Sequence, residues 1–504
     1  MGLMEKLFGR DWGIHPDDHK RPAADAVTRT MPVPERLFVS LSQHLGAPAR
    51  PVVLVGQKVR KGERLADPQG AVSAAIHAPT SGTITAIGEI PAPHPSGLPV
   101  LAITLEADGL DAWADLEGLN DPFLLPPAEI SKKVAEAGVV GLGGATFPAA
   151  LKLSLSEKAK VTTLVMNGGE CEPYLSCDDR LMRDSAAAIV DGIGLMLHAT
   201  GATQALVGIE DNKPEAIAAM QQAAAAQPHI RICPVPARYP MGSEKQLVQE
   251  LTGHEIPADG RPGDVGVVVH NVGTAWAVHQ AIRFGRPLVA RLITVNGGCV
   301  AQPGNIMVPL GTLVEEVLAF AGGLNSAPAR LVMGGPMMGM SLPQARVPVV
   351  KGSSGILALS AAEVAERTEE PCIRCATCVG ACPMGLLPLD MARHIQANDL
   401  KGAVKTGLKD CIACGCCAYV CPAHIPLVQY FSHAKGELSA QEREKLRQES
   451  TRKLAQSRAQ RLEREAREKA EAAARRKAER AAQAAATPES QAPSNLPAPQ
   501  GATA

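Results

Sequence analysis

Aromatic residues make up only 3 % of this 504-residue chain. That scarcity excludes the base-stacking platform that single-stranded nucleic acid requires. An excess of one charge is missing as well. The formal net charge is −1, so the body carries no electrostatic footprint for nucleic acid. No stretch approaches the roughly 18 consecutive apolar residues that mark a membrane-spanning helix. Met1–Arg10 has neither the apolar core nor the cleavage site of a secretory signal. The expectation is a soluble protein of a reducing compartment that meets a membrane only through partners. Histidines are scattered, with no H-x-x-H and no Cys/His pairing. They read as surface or internally satisfied core residues, not metal ligands.

What the chain has instead is cysteine at a fixed spacing. Cys372, Cys375, Cys378 and Cys382 precede Pro383, and Cys411, Cys414, Cys417 and Cys421 precede Pro422. Each run reads C-x2-C-x2-C-x3-C-P, the spacing of ferredoxins that hold two 4Fe–4S clusters. A short loop that turns back on itself lets three cysteines wrap three corners of one cube. The fourth, beside proline, points to the partner cube, so the expected ligation is crossed. Cys372, Cys375, Cys378 and Cys421 form one set, and Cys411, Cys414, Cys417 and Cys382 the other. Zinc ribbons, the competing use of C-x2-C, need two pairs separated by a long spacer. Structural disulfides need an oxidising compartment. Cys416 is out of phase and reads as a packing thiol, with a substitute ligand as the alternative. Cys171, Cys177, Cys233 and Cys299 read as buried free thiols.

The length suits three or more domains, and the pattern along the chain divides it. Residues 1–31 are polar and proline-spaced, an extension expected to run over the surface. Over 32–115, short β-branched runs (Pro51–Gly56, Ala71–His77, Gly82–Ile87) alternate with glycine and proline turns, a small all-β unit. It resembles the barrel-sandwich hybrid of biotinyl and lipoyl domains. Gln69-Gly70-Ala71 stands where those carry a modifiable lysine, so docking or packing is expected in place of a swinging arm. Residues 126–291 alternate helical patterns (Ile130–Ala137, Ser185–Leu197, Pro214–Ala226) with strand patterns (Thr163–Met166, Ala205–Ile209), as an α/β domain does. Residues 292–345 give a β-grasp-like pattern, and 360–433 the cysteine domain. From 439 onward, Ala, Glu, Lys, Arg and Gln dominate as far as Ala486, with an excess of about six positive charges. Leu446, Leu454 and Leu462 are too few for a coiled-coil seam. A solvated single helix is expected, with a tether to anionic lipid or a partner subunit as the alternative. Residues 487–504, rich in Pro, Ala and Ser, should be disordered.

Single-electron carriers need a source, and the central domain offers one. Gly138-Val-Val-Gly141-Leu-Gly143-Gly144-Ala-Thr-Phe147-Pro148 is a glycine loop before a helix start, a backbone suited to phosphate. Alone it also fits a plain tight turn. Asn167-Gly-Gly-Glu170-Cys-Glu172-Pro-Tyr174 follows a buried strand, at the strand end where open α/β sheets hold ligands. Tyr239-Pro-Met-Gly242-Ser-Glu244-Lys245 and Val269-His-Asn271-Val-Gly-Thr274 repeat the theme.

These four segments, in this order, resemble the flavin- and NADH-binding subunit of respiratory complex I. With the hybrid barrel, the β-grasp unit of the SLBB kind and the two cysteine motifs, 31–433 resembles the RnfC family of the Rnf (Rsx) electron-transport complex. The implied architecture is multidomain α/β: barrel-sandwich hybrid, flavin/NADH domain, β-grasp domain, two-cluster ferredoxin-like domain and tail. The implied cofactors are FMN and two 4Fe–4S clusters, with NADH as substrate. By the resemblance, Gly141, Gly143 and Gly144 border the FMN phosphate or flavin face. Lys152, Asn167, Asn271 and Thr274 contact FMN, Phe147 stacks on the nicotinamide or adenine side, and Glu170, Glu172 and Glu244 lie near NADH, with Gly242 among the cofactor-binding residues. Gly169, Ser243 and His270 depart from the complex I pattern, which has an acidic residue, a first glutamate and a first asparagine there.

The resemblance further implies a peripheral protein at the cytoplasmic face of the bacterial inner membrane. It would pass electrons from NADH to the clusters beside an iron–sulfur subunit and integral membrane subunits that move the ion. Two other readings stay open: a flavin-free iron–sulfur wiring or scaffold subunit, and a soluble NADH:acceptor dehydrogenase.

Overall fold

The computed structural model describes residues 12–154, 160–364 and 367–486; the segment expected to be disordered, 487–504, lies outside the described residues. The chain divides into two units, Met1–Ser432 and His433–Ala504.

In the first unit, the β-rich region pairs Arg36–Ser40, Pro99–Ala107, Gly82–Pro91 and Lys58–Val59 into one antiparallel sheet. A second sheet takes Arg50–Pro51, Arg64–Asp67 and Ile76–His77. Val39, Leu65, Ile76, Ile84, Ile103 and Leu105 from the two sheets close one core. The expected runs at Pro51–Gly56 and Ala71–His77 form strand only at Arg50–Pro51 and Ile76–His77.

The centre is a four-stranded parallel sheet, ordered Ile230–Val235, Gln204–Glu210, Thr163–Gly168, Val267–Asn271. Strand residues alternate between two cores. Leu164 and Met166 face the helices Cys177–Thr200 and Val272–Phe284, while Val165, Val267 and Val269 face the helix Glu244–Thr252. A sheet covered on both faces reads as continuous apolar strands, which is why Thr163–Met166 stands out in the sequence. The helix expected from Ser185 begins earlier, at Cys177. Ser185 itself, at φ −136°, is a break inside it. Asp178, Asp179 and Arg180 make the first segment polar and hide it from a hydrophobic-period reading.

The third region is a six-stranded sheet, and it reaches beyond 292–345. Its order is Arg29–Thr30, Gly304–Pro309, Ala290–Asn296, Gly355–Leu359, Arg330–Met333, Met340–Leu342. Gly355–Leu359 is buried throughout and pairs on both sides. Arg29–Thr30 comes from the N-terminal segment, paired with Ile306 and Met307.

That segment therefore does not run over the surface as expected. Ile14 bridges Tyr239, with both backbone hydrogen bonds formed. Lys20 is buried, and its ammonium donates to the carbonyls of Glu170 (2.9 Å), Glu172 (3.0 Å) and Leu175. Polar composition misleads here because the lysine's charge is satisfied by carbonyls that the sequence gives no sign of.

From 367 to 432 the described residues form short helices and no strand: Thr377–Gly380, Pro388–Gln396, Leu400–Lys405, Cys416–Tyr419, and the start of Leu427–Ala485. In the second unit this last helix is exposed at every residue from Gln441 to Ala485. Arg461–Glu465, Arg467–Glu471 and Arg475–Glu479 pair along its surface, each contributing only about 0.3–0.5 kcal/mol.

Lys351 joins the three β-bearing regions of the first unit. It is wholly buried, and its ammonium donates to Ala75 O and Gly138 O, both at 2.7 Å. Burial lowers its pKa from 10.5 to about 7. Above that value the folded protein gives up a proton the unfolded chain still holds, so stability rises with pH until the ordinary lysine range is reached. Lys351→Met should abolish this slope. The difference in thermal midpoint between parent and variant, read by scanning fluorimetry, should move in the parent's favour from about pH 7 to about pH 10.

Candidate functional site

The two cysteine loops share one backbone design. Arg374 and Ala376 in the first loop, and Ala413 and Gly415 at the matching places of the second, all have positive φ; so do Gly385 and His424 after the two prolines. Left-handed residues coil each loop tightly enough to turn successive cysteines inward. A short helix follows each coil (Thr377–Gly380, Cys416–Tyr419), and each Cys-Pro leads into a longer one that starts beside Pro388 or Pro426.

The fourth cysteines are exchanged. Cys382 lines one cavity together with Cys411, Cys414 and Cys417. Cys421 lines a second together with Cys372, Cys375 and Cys378. Donors already point at the sulfurs: Ala413 N–H to Cys411 Sγ and Leu386 N–H to Cys382 Sγ, both 3.4 Å, and Thr377 Oγ1 to Cys375 Sγ, 3.2 Å. Two groups of four thiols with hydrogen bonds to sulfur are the donor chemistry that an iron–sulfur cube needs. The two groups differ in burial. Cys382, Cys414 and Cys417 are buried, whereas Cys372 and Cys375 are exposed beside Ile373 at 69 % exposure.

Cys416, the out-of-phase thiol, is wholly buried with Ile14, Tyr239 and Ala381. Its S–H donates to Tyr239 O at 3.9 Å. Cys177 and Cys299 are buried as expected, but Cys171 and Cys233 are only partly so. Cys233 sits on Ile230–Val235, an edge strand of its sheet with a mixed burial pattern.

The second assembly lies at the carboxyl end of the parallel sheet, where such sheets open a crevice. Asn167 and Asn271 end adjacent strands and are register partners. Asn167 Nδ2 donates to Gly242 O (2.7 Å), and its Oδ1 accepts from Gly169 N–H (2.9 Å). Asn271 Oδ1 caps its own helix at Gly273 N–H (2.8 Å), while Nδ2 donates to Asp178 (2.6 Å). The glycine loop closes through Gly141 N–H to Phe147 O (2.8 Å) and is pinned by Leu142 N–H to Thr274 Oγ1 (3.0 Å). Gly143 and Gly144 form its exposed lip, and Phe147 is half-buried. Gly144 needs glycine for its φ of +112°; Gly143 has little room, since a Cβ there would lie 3.3 Å from Asn271 Cβ. Lys152 donates to Val269 O and Glu244, both at 3.1 Å.

Thr274, Glu170 and Glu172 are used internally. Thr274 is wholly buried beneath the loop. Glu170 accepts from the N–H groups of Asp178 (2.8 Å) and Asp179 (3.1 Å), capping the helix Cys177–Thr200. Glu172 accepts from Met337 N–H (3.0 Å) and Met338 N–H (2.8 Å), and burial raises its pKa to about 7. Glu170, Cys177 and Asp178 bring three ligand-type atoms within 4.8 Å. The oxygens of Glu170 face amide donors and Asp178 faces Asn271, so the cluster is accounted for by helix capping.

Three histidines are exceptions to the surface or internally satisfied reading expected for most of them. His44, His77 and His270 are buried, each with a ring nitrogen that has no partner among the described residues. Burial, then Lys152, holds His270 well below the usual imidazole range. Lys20, Tyr239 and Lys351 carry much of this architecture, and nothing in their sequence neighbourhood marks them for it.

Four family models match the chain in order. They are the RnfC barrel sandwich hybrid domain (10–110), the Nuo51 FMN-binding domain (134–280), the SLBB domain (292–341) and a 4Fe-4S dicluster domain (365–422). The C subunit of the ion-translocating oxidoreductase complex of Rhodobacter capsulatus is 51 % identical over 438 residues, 86 % of this chain and 84 % of that one. Its counterpart in Pseudomonas aeruginosa is 46 % identical over 421 residues, 83 % of this chain and 54 % of that one. The counterpart in Klebsiella pneumoniae is 42 % identical over 444 residues, 88 % and 59 %. Identity at this level across all four regions leaves one assignment: the chain belongs to the RnfC family, the C subunits of ion-translocating oxidoreductase complexes.

Proposed function

We propose that this chain is the electron-input subunit of a membrane-bound, ion-translocating oxidoreductase complex, and that it oxidises NADH. The observation that carries the reading is the juxtaposition, in one unit, of the polar, glycine-bearing assembly at the carboxyl end of the parallel sheet and two four-thiol cavities. FMN, when bound, takes a hydride from NADH and releases electrons singly, which iron–sulfur clusters carry onward.

In this reading Gly141, Gly143 and Gly144 offer backbone to the FMN phosphate, and Phe147 offers a ring face beside them. Lys152, held by Val269 O and Glu244, supplies positive charge; Asn167 and Gly242 shape the floor of the crevice. Asn271 and Thr274 hold the loop from below, while Glu170 and Glu172 keep its neighbouring segment in place. Cys411, Cys414, Cys417 and Cys382 hold the buried 4Fe–4S cluster. Cys372, Cys375, Cys378 and Cys421 hold the other, whose exposed side is where a partner iron–sulfur subunit would approach. No helix among the described residues is long and apolar enough to cross a membrane. Ion movement is therefore assigned to integral membrane partners, with this protein peripheral at the cytoplasmic face of the inner membrane.

Purified protein should show a flavin absorbance band that NADH bleaches under anaerobic conditions. Iron and sulfide without flavin, in a spectrum NADH leaves unchanged, would support the flavin-free wiring role instead. Crossed ligation makes a separate prediction. Cys382→Ser should damage the cluster of the second motif and Cys421→Ser that of the first, resolved by EPR of each variant. If each substitution perturbs its own motif's cluster, the exchange is wrong.

A further inference from the structure

Tyr239 is a buried tyrosine whose hydroxyl reaches another region of the unit. It donates to Cys414 O at 2.7 Å. The main chain of the same residue is engaged on both sides. Tyr239 N–H donates to Ile14 O (3.0 Å), and Tyr239 O accepts from Ile14 N–H (2.9 Å) and from Cys416 S–H. One residue before Ile14, Gly13 N–H donates to Ala381 O at 3.1 Å, beside Cys382.

The loop that carries Tyr239 also belongs to the crevice, because Gly242 O accepts from Asn167 at the end of its strand. A continuous path thus runs from the crevice floor, through Gly242 and the main chain to Tyr239, and across one hydrogen bond to Cys414. Gln246, nearly buried, adds a parallel contact from the following helix: its Nε2 meets Met384 Sδ (3.3 Å) and Pro383 O (3.4 Å), next to Cys382. The described residues provide no comparable clasp on the Cys372, Cys375, Cys378, Cys421 side.

We propose that Tyr239, supported by Gln246, is a positioning residue for the metal centre at Cys382, Cys411, Cys414 and Cys417, and raises the reduction potential of that centre alone. This rests on the functional reading above. One-electron reduction adds negative charge to the centre. A peptide carbonyl directly beside a ligand resists that charge with its own negative end. A hydroxyl that donates to the carbonyl neutralises part of this end and lowers the resistance, the same lever by which hydrogen bonds at sulfur tune cluster potentials. Because the donor belongs to the crevice loop, the effect acts on the centre nearest the crevice.

The test uses the full chain purified with its iron. In Tyr239→Phe, EPR-monitored redox titration should show the midpoint of one centre, the one lost in Cys382→Ser, moved to more negative potential. The other midpoint and the iron content should stay unchanged. A merely structural role would lower iron content or stability without moving one midpoint selectively. No shift, or an equal shift of both centres, overturns the inference. If Tyr239→Phe loses its iron, Gln246→Leu is read in its place, with the same selective negative shift expected and its absence equally fatal. A parent protein that holds no iron would instead overturn the functional reading.

Discussion

Ammonium groups satisfied by backbone carbonyls hold the first unit together. Lys351 reaches Ala75 in the β-rich region and Gly138 at the root of the glycine loop. Lys20 gathers the carbonyls of Glu170, Glu172 and Leu175. Neither makes an ion pair among the described residues. Taking an ammonium out of water costs several kcal/mol, and hydrogen bonds to a charged group return about 1.5–3 kcal/mol each. The return falls short of the cost, in keeping with the lowered pKa of both lysines, so the gain is in geometry and not in stability. Each ammonium demands several carbonyls at once and thereby dictates the path of a loop. The loops so dictated are the two that border the crevice at the sheet end.

The cysteine region obeys a different constraint. Its coils are too short to bury a core of their own, and they fold as a pair in which each cavity borrows one cysteine from the other motif. Exchange makes the region one unit. It also leaves it asymmetric, because one cavity is pressed against the Tyr239–Gly242 loop and the other keeps two exposed cysteines. An electron-carrying protein needs such a difference between an inward side and an outward side, since the direction of approach must be built into the fold.

Much of this was legible in the chain. Eight cysteines at a repeated spacing point to two groups of four thiols with the fourth members exchanged, and the two cavities are lined by those groups. Apolar strands such as Thr163–Met166 and the glycine-bearing segments after them locate the crevice, since ligands of parallel sheets gather at strand ends. Other features were not legible. Glu170 and Glu172, placed near NADH by the resemblance, are instead taken up as caps: Glu170 on the helix that follows it, Glu172 on a turn some 165 residues away. Residues 12–31 look like a surface strand of polar chain, yet they supply a buried lysine, a bridge to Tyr239 and an edge strand. Gly355–Leu359 lies past the expected end of its domain and completes the sheet between two earlier strands.

The division follows the range of the forces involved. By itself the sequence determined which residues offer soft thiol donors at a repeated spacing, where the glycine loop lies and which strands are buried on both faces. Those properties depend on residue type and on spacings of a few positions. Only the tertiary structure decided which cysteine cavity adjoins the crevice, which carboxylates are consumed as caps, and which lysines are buried. Apart from the nearby cap that Glu170 gives its helix, those outcomes depend on donors and acceptors more than a hundred residues apart, such as Lys20 and Glu170, Glu172 and Met338, or Tyr239 and Cys414, whose meeting no local pattern announces.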